Sequence, residues 1–68
     1  NFKIMKLFFL VLNNDSRQYF DGLPFVLANG ISMDDVLGRL GLHISSIQEV
    51  DDNIAQAIVT NVTYVHNV

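Results

Sequence analysis

The chain reads as an α+β domain in the order strand, strand, helix, strand, strand, with three or four strands in a largely antiparallel sheet and one short helix on one face. Three observations predict this. Residues 2 to 12, FKIMKLFFLVL, are apolar apart from Lys3 and Lys6. Residues 32 to 41 carry the start and stop signals of a short helix, and Ile, Val, Thr and Tyr dominate the tail from residue 54 to 65. Strands before and after a single helix place that helix on one side of a sheet.

The content of Phe, Ile and Val and the lack of a helical stripe make residues 2 to 12 a strand. Side chains then alternate, so Ile4, Phe8, Leu10 and Leu12 point one way and Met5, Leu7, Phe9 and Val11 the other. Both faces of such a strand need covering. Asn13-Asn14-Asp15-Ser16 is a turn cluster that suits a hairpin connection. A second strand is expected within Arg17 to Ala28, with Asp21-Gly22 as a bulge or kink. Pro24 has no amide to donate, which puts that strand at an edge or breaks it near Gly22.

After Asn29-Gly30, Ser32 is placed to cap a helix over Met33 to Leu40, with Asp35 three residues on and Ile31 and Val36 as a hydrophobic staple. Asp34 and Asp35 favour the positive end of the helix dipole and Arg39 the negative end. Gly41 suits a left-handed cap that returns Leu42 to Leu37. The helix is roughly 12 Å long and its apolar side is Met33, Val36, Leu37 and Leu40. Gly38 within it costs about 1 kcal/mol relative to Ala, which suggests a close backbone approach there.

A third strand follows over Ile44 to Val50, then a turn at Asp51-Asp52-Asn53. A fourth strand is expected from Ile54 to Val65, with Ile54, Ile58, Val62 and Tyr64 on one face and Ala55, Ala57, Val59 and Val65 on the other. A helix starting at Asp52 or Asn53 through Ala55 and Ala57 is the rival; the β-branched residues from Ile58 onward favour strand.

Sixty-eight residues form one domain, residues 1 to 68, near the lower size limit for independent folding. With no Cys and only two His, disulfides and a thiolate zinc site are excluded, and oligomerisation or a bound partner is the remaining common source of stability. Half the residues are hydrophobic and 16% are charged, so apolar surface is in surplus. The absence of Cys fits a reducing compartment, and a cytoplasmic location is expected. The apolar run at residues 2 to 12 is too short to span a bilayer. Lys6 interrupts it and Asn13-Asn14-Asp15 follows where small cleavage-site residues would stand, against a signal peptide. Met5-Lys6 offers a natural start, so residues 1 to 4 are expected to be an upstream extension.

The net charge of −3 is uneven. Lys3, Lys6 and Arg17 outweigh Asp15 in the first twenty residues. Beyond them, Arg39 faces Asp21, Asp34, Asp35, Glu49, Asp51 and Asp52. No basic patch is present, so nucleic acid is disfavoured as a partner even though Tyr19, Phe20 and Phe25 near Arg17 could stack bases.

Chemistry is sparse. No Gly-x-Ser-x-Gly turn surrounds Ser16, Ser32, Ser45 or Ser46. His43 and His66 with Asp51 or Asp52 match no recurrent ligand spacing, Asp51-Asp52-Asn53 lacks the alternation of a calcium loop, and no phosphate loop exists. No catalytic, metal-binding or cofactor-binding residue is assigned, and no cofactor is expected. Asn14-Asp15-Ser16 and Asn61-Val62-Thr63 match the glycosylation pattern, which matters only in a secreted protein.

The segment Phe25 to Ala28 followed by Ser32-Met33-Asp34-Asp35-Val36 resembles small phage-encoded proteins that block a host enzyme, in which an apolar strand leads into a short, capped acidic helix and a final hairpin. The resemblance covers a short part of the chain and implies a stoichiometric inhibitor; no functional residue is transferred by it.

The expectation is therefore a non-enzymatic interaction module, an inhibitor or regulator that docks on a protein target or on itself as a homodimer. Its expected contact residues are Leu7, Phe9, Val11, Tyr19, Phe20 and Phe25, with Asp34 and Asp35 as an acidic rim. Edge pairing around Leu23 to Ala28 and burial of the Leu7/Phe9/Val11 face are the two modes. A structural subunit of an assembly and a small hydrolase or metal-dependent enzyme are the alternatives.

Overall fold

The structure, a computed structural model, describes residues 4–61 and 65–68. Its first strand is β1, Lys6–Leu12. A 3₁₀ helix, Asn14–Phe20, leads to β2, Phe25–Gly30; α1 is Met33–Leu40; a single 3₁₀ turn, Gly41–His43, leads to β3, Ile44–Glu49; α2 is Asp52–Asn61 and β4 is His66–Asn67. The fold is α+β, with a four-stranded mixed sheet in the order β3-β1-β2-β4. β1 is central and antiparallel to both β2 and β3, whereas β4 runs parallel to β2.

Directly opposed residues share a sheet face, so the register sorts the side chains. On one face Phe8 opposes Ala28, Leu10 opposes Val26 and Ile47, and Leu12 opposes Ile44. This is the core: Phe8, Leu10, Leu12, Phe20, Val26, Ala28 and Val36 are buried together, with Met33, Leu40, Ile44, Ile47 and Val68 packed around them. The helix α1 closes it. Ser32 caps α1 as its spacing predicts, its Oγ accepting the Asp35 N–H at 3.1 Å. Close approach occurs at Gly30 rather than Gly38: a Cβ at Gly30 would lie 2.6 Å from Val36 Cγ2, and one at Gly38 would meet nothing within 4 Å.

Several expectations are corrected. The segment from Ile54 is helical through Asn61, not a strand. Asp51 Oδ2 accepts the Asn53 N–H at 3.1 Å, which starts the helix. Ala55 is then buried at 2% exposure, and packing outweighs the modest strand preference of Ile58. The last strand lies later, at His66–Asn67, and pairs with β2, so among the described residues β3 has no hairpin partner after it. Val62 and Tyr64 of the expected strand, and Phe2 and Lys3 of the first, lie outside the described residues.

The Asn13–Ser16 cluster is not a tight hairpin turn but the start of the 3₁₀ helix. That helix ends where Asp21 and Gly22 take left-handed φ of 58° and 76°, with the Gly22 N–H donating to the Arg17 carbonyl. Asp21-Gly22 is thus a helix terminus rather than a bulge. Pro24 stands just before β2, so its missing amide costs the ladder nothing, and β2 is interior over Ala28 and Asn29, where β4 joins it. The end of α1 also differs from the expected left-handed cap. Gly41 is right-handed and continues into the 3₁₀ turn, leaving Leu42 92% exposed instead of returned to Leu37. Ile31 is exposed, so the staple with buried Val36 contributes little shielding.

Candidate functional site

The second sheet face is built from the odd-numbered residues of β1. In rows across the sheet, Leu7 opposes Asn29, Phe9 opposes Leu27 and Gln48, and Val11 opposes Phe25 and Ser46. The helix α2 packs against β1 on this side of the sheet, beside a first row that is closed to solvent. There Leu7 is 1% exposed and Asn29 is also buried. Asn29 joins both ends of the chain to β2: its Oδ1 accepts the Met5 N–H at 2.9 Å and its Nδ2 donates to Asn67 Oδ1 at 3.2 Å. Its carbonyl accepts the Val68 N–H.

The next two rows are left open. Phe9 and Phe25 are 37% and 45% exposed, and their rings meet at a centroid distance of 5.3 Å. A cleft of about 390 Å³ lies between this surface and α2. Phe9, Leu27 and Val50 line its sheet side and Ile54 and Ile58 its helix side, with Gln48, Glu49 and Asp51 at its edge; Glu49 opposes Phe8, so its carboxylate belongs to the other sheet face. Ile54 is itself exposed while Ile58 is half-buried. On the Phe8 side of the same edge, Lys6 Nζ stands 3.6 Å from Glu49 Oε2, both side chains about half exposed. Such an arrangement can take up apolar side chains at a place where water now contacts aromatic rings.

Of the residues expected to form the contact surface, the structure brings Phe9, Val11 and Phe25 together on this face. Leu7 and Phe20 are buried within the chain, Leu7 beneath α2 and Phe20 in the main core, so neither presents a free surface. Tyr19 is exposed but lies against His43, with ring centroids 5.5 Å apart. Asp34 and Asp35 belong to α1 on the other side of the sheet, where Asp35 is held by Arg39 at 3.1 Å. Leu27, Gln48, Glu49, Val50, Asp51, Ile54 and Ile58 were missed. The signal for the α2 residues was present in the Asp51 cap and in the spacing of Ile54, Ala55 and Ile58.

A second cluster joins the 3₁₀ helix to the turn before β3. Ser16 Oγ and His43 Nδ1 are 2.8 Å apart, and the Phe20 ring stands edge-on between His43 and His66 at 5.8 and 5.5 Å. Asn13 reinforces the junction by donating from Nδ2 to the Leu42 carbonyl and from its N–H to the His43 carbonyl. A serine beside a histidine invites a nucleophilic reading, but Ser16 is only 6% exposed. The cluster fits a structural clasp.

Among the described residues, no group of three or more His, Asp or Glu is placed to hold a metal ion, and no helix is long and apolar enough to cross a membrane. Comparison with protein-family models, curated proteins and solved structures returns no match to this chain.

Proposed function

We propose that the chain is a non-enzymatic protein-interaction module that docks a target protein on its second sheet face and acts stoichiometrically, as an inhibitor or regulator in the cytoplasm. The observation that carries this reading is the tilted Phe9–Phe25 ring pair, solvent-exposed at the open end of an apolar cleft. Aromatic pairs of this kind contribute strongly to binding when a partner covers them. The phage-type, anti-host version of the role is supported by the resemblance of the β2 and α1 sequences noted above, and the cytoplasmic location by the lack of cysteine.

The test is affinity capture with the whole chain, followed by purification of the captured protein and sedimentation of the mixture. A 1:1 complex that is lost in Phe25→Asp, with the partner's activity suppressed at equimolar chain, is the expected result. A concentration-independent oligomer of the chain alone, dissolved by the same substitution, would instead make it an assembly subunit. Turnover that requires His43 or His66, seen in a His43→Ala, His66→Ala comparison, would return the enzyme reading.

A further inference from the structure

We propose that Asn29-Gly30 is a self-modification site guarded by the fold: when β2 parts from its neighbours, Asn29 deamidates through a cyclic imide, and the product no longer closes the seam that joins Met5 and Asn67 to β2. Asn29 is the only asparagine in the sequence followed by glycine. The pair reacts readily because glycine has no side chain to obstruct its own amide nitrogen and leaves the backbone free to turn. The Gly30 nitrogen attacks Asn29 Cγ. A C–N bond forms, the Cγ–Nδ2 bond breaks, and ammonia leaves carrying the Gly30 amide proton. Water then opens the five-membered imide at one of its two carbonyls and gives Asp or its β-linked isomer. The balance is one water in and one ammonia out, with no change of oxidation state.

In the closed structure both reacting groups are engaged. Asn29 is 2% exposed; its Oδ1 accepts the Met5 N–H at 2.9 Å and its Nδ2 donates to Asn67 Oδ1 at 3.2 Å. The nucleophile is held in the sheet. The Leu12 N–H donates to the Pro24 carbonyl, and the alternation of an antiparallel ladder then makes Lys6–Gly30 a bonded pair, with the Gly30 N–H directed at Lys6. The Asn29 side chain stands across that direction, on the Leu7 face of the sheet. From the other side β4 pairs Asn29 with Asn67, and the Val68 N–H donates to the Asn29 carbonyl. The imide therefore forms only after β2 has opened locally near Gly30.

Closing again is then opposed. An Asp at this place carries a charge into a buried position and has lost the donor that reached Asn67. The β-linked isomer lengthens the backbone by one methylene just before Gly30, where space is short: a Cβ on Gly30 would already lie 2.6 Å from Val36 Cγ2. A transient opening is thus converted into a permanent one.

The test follows the tryptic peptide from Gln18 to Arg39, in which Asn29 is the only asparagine, by mass spectrometry of the full chain aged in mildly alkaline buffer with and without guanidinium chloride. Isomerisation at Asp21-Gly22 leaves the mass unchanged, so a mass gain reports Asn29. The unfolded chain should convert at least about tenfold faster than the folded one, because only the open fraction reacts. Asn67→Ala removes the acceptor of Asn29 Nδ2 from an exposed position; it should raise the folded-state rate about two- to tenfold and leave the unfolded-state rate unchanged. The converted chain, purified and returned to buffer, should unfold at a lower urea midpoint than the original. Equal rates in folded and unfolded chain, or a folded-state rate untouched by Asn67→Ala, would overturn the guarding role. An unchanged urea midpoint after conversion would overturn the permanent opening, and no conversion in guanidinium chloride would overturn the site itself.

Discussion

The two faces of β1 carry nearly the same chemistry and meet different fates. Phe8, Leu10 and Leu12 face α1, and none is more than 2% exposed. Leu7, Phe9 and Val11 face the other way, and burial falls off along the strand from fully buried Leu7 to half-open Phe9 and Val11. Apolar alternation is equal on the two sides. What differs is the cover: α1 is backed by the 3₁₀ helix through Phe20 and by Val68, whereas on the side of α2 Phe9 and Phe25 stay exposed. A strand's composition states what must be shielded, and the remainder of the chain decides how much of it is.

Adjacent phenylalanines give the sharpest test of this contrast and the largest expected effect. Phe8→Ala removes a fully buried ring and should cost about 3–5 kcal/mol, enough to unfold a domain of this size in water. Phe9→Ala, one residue away, should cost roughly 1–2 kcal/mol, because much of its ring already touches water. Urea unfolding followed by circular dichroism measures both. Equal losses would mean that the second face is as closed as the first.

Much of the first face was legible in sequence. The central strand, the helix over Met33–Leu40 and its Ser32 cap follow from local signals that agree with one another. The second face was only half legible. Ile54 to Val65 carries residues that suit a strand, and the Asp51 cap competes with them at short range; burial of Ala55 against the sheet settles the matter, and that is a long-range contact. The same limit explains the contact residues. Leu7 reads as equivalent to Phe9 until α2 is placed over it, and Phe20 reads as exposed until the 3₁₀ helix turns it into the core.

Undocking α2 is the second test. Ala55→Glu puts a charge into a buried position, and its cost is capped by the energy of releasing the helix, of which Leu7 is the main part at about 1.5–3 kcal/mol. Amide exchange should then quicken through α2 while α1 and β1 stay protected. Simultaneous loss of protection everywhere would show that the two faces fold as one unit.

A third, smaller contrast lies between two glycines of the core side. Gly30→Ala forces a methyl against Val36 Cγ2, a stiff β-branched side chain in a filled core, and should destabilise by about 1–3 kcal/mol. Gly38→Ala enters open space on a helix and should be neutral or stabilise by up to about 1 kcal/mol. Thermal melts of the two variants should move in opposite directions, and parallel shifts would place the tight contact between α1 and β2 elsewhere.

The helix caps supply the smallest effect and the finest discrimination. Ser32 accepts the Asp35 N–H and Asp51 the Asn53 N–H, so each cap satisfies one amide at the start of its helix. In isolation, each replacement by Ala should cost on the order of 1 kcal/mol. The helices differ in what their loss exposes. Fraying α1 opens the main core, so the cost of Ser32→Ala should appear in full in global unfolding. Fraying α2 uncovers Leu7 and Ala55 and leaves Phe8, Leu10 and Val36 in place. Part of the cost of Asp51→Ala should therefore appear as faster amide exchange within α2, with a smaller change in the urea midpoint than Ser32→Ala produces. Equal midpoint shifts, with no selective exchange in α2, would mean that the half-covered face is bound as tightly into the cooperative unit as the closed one.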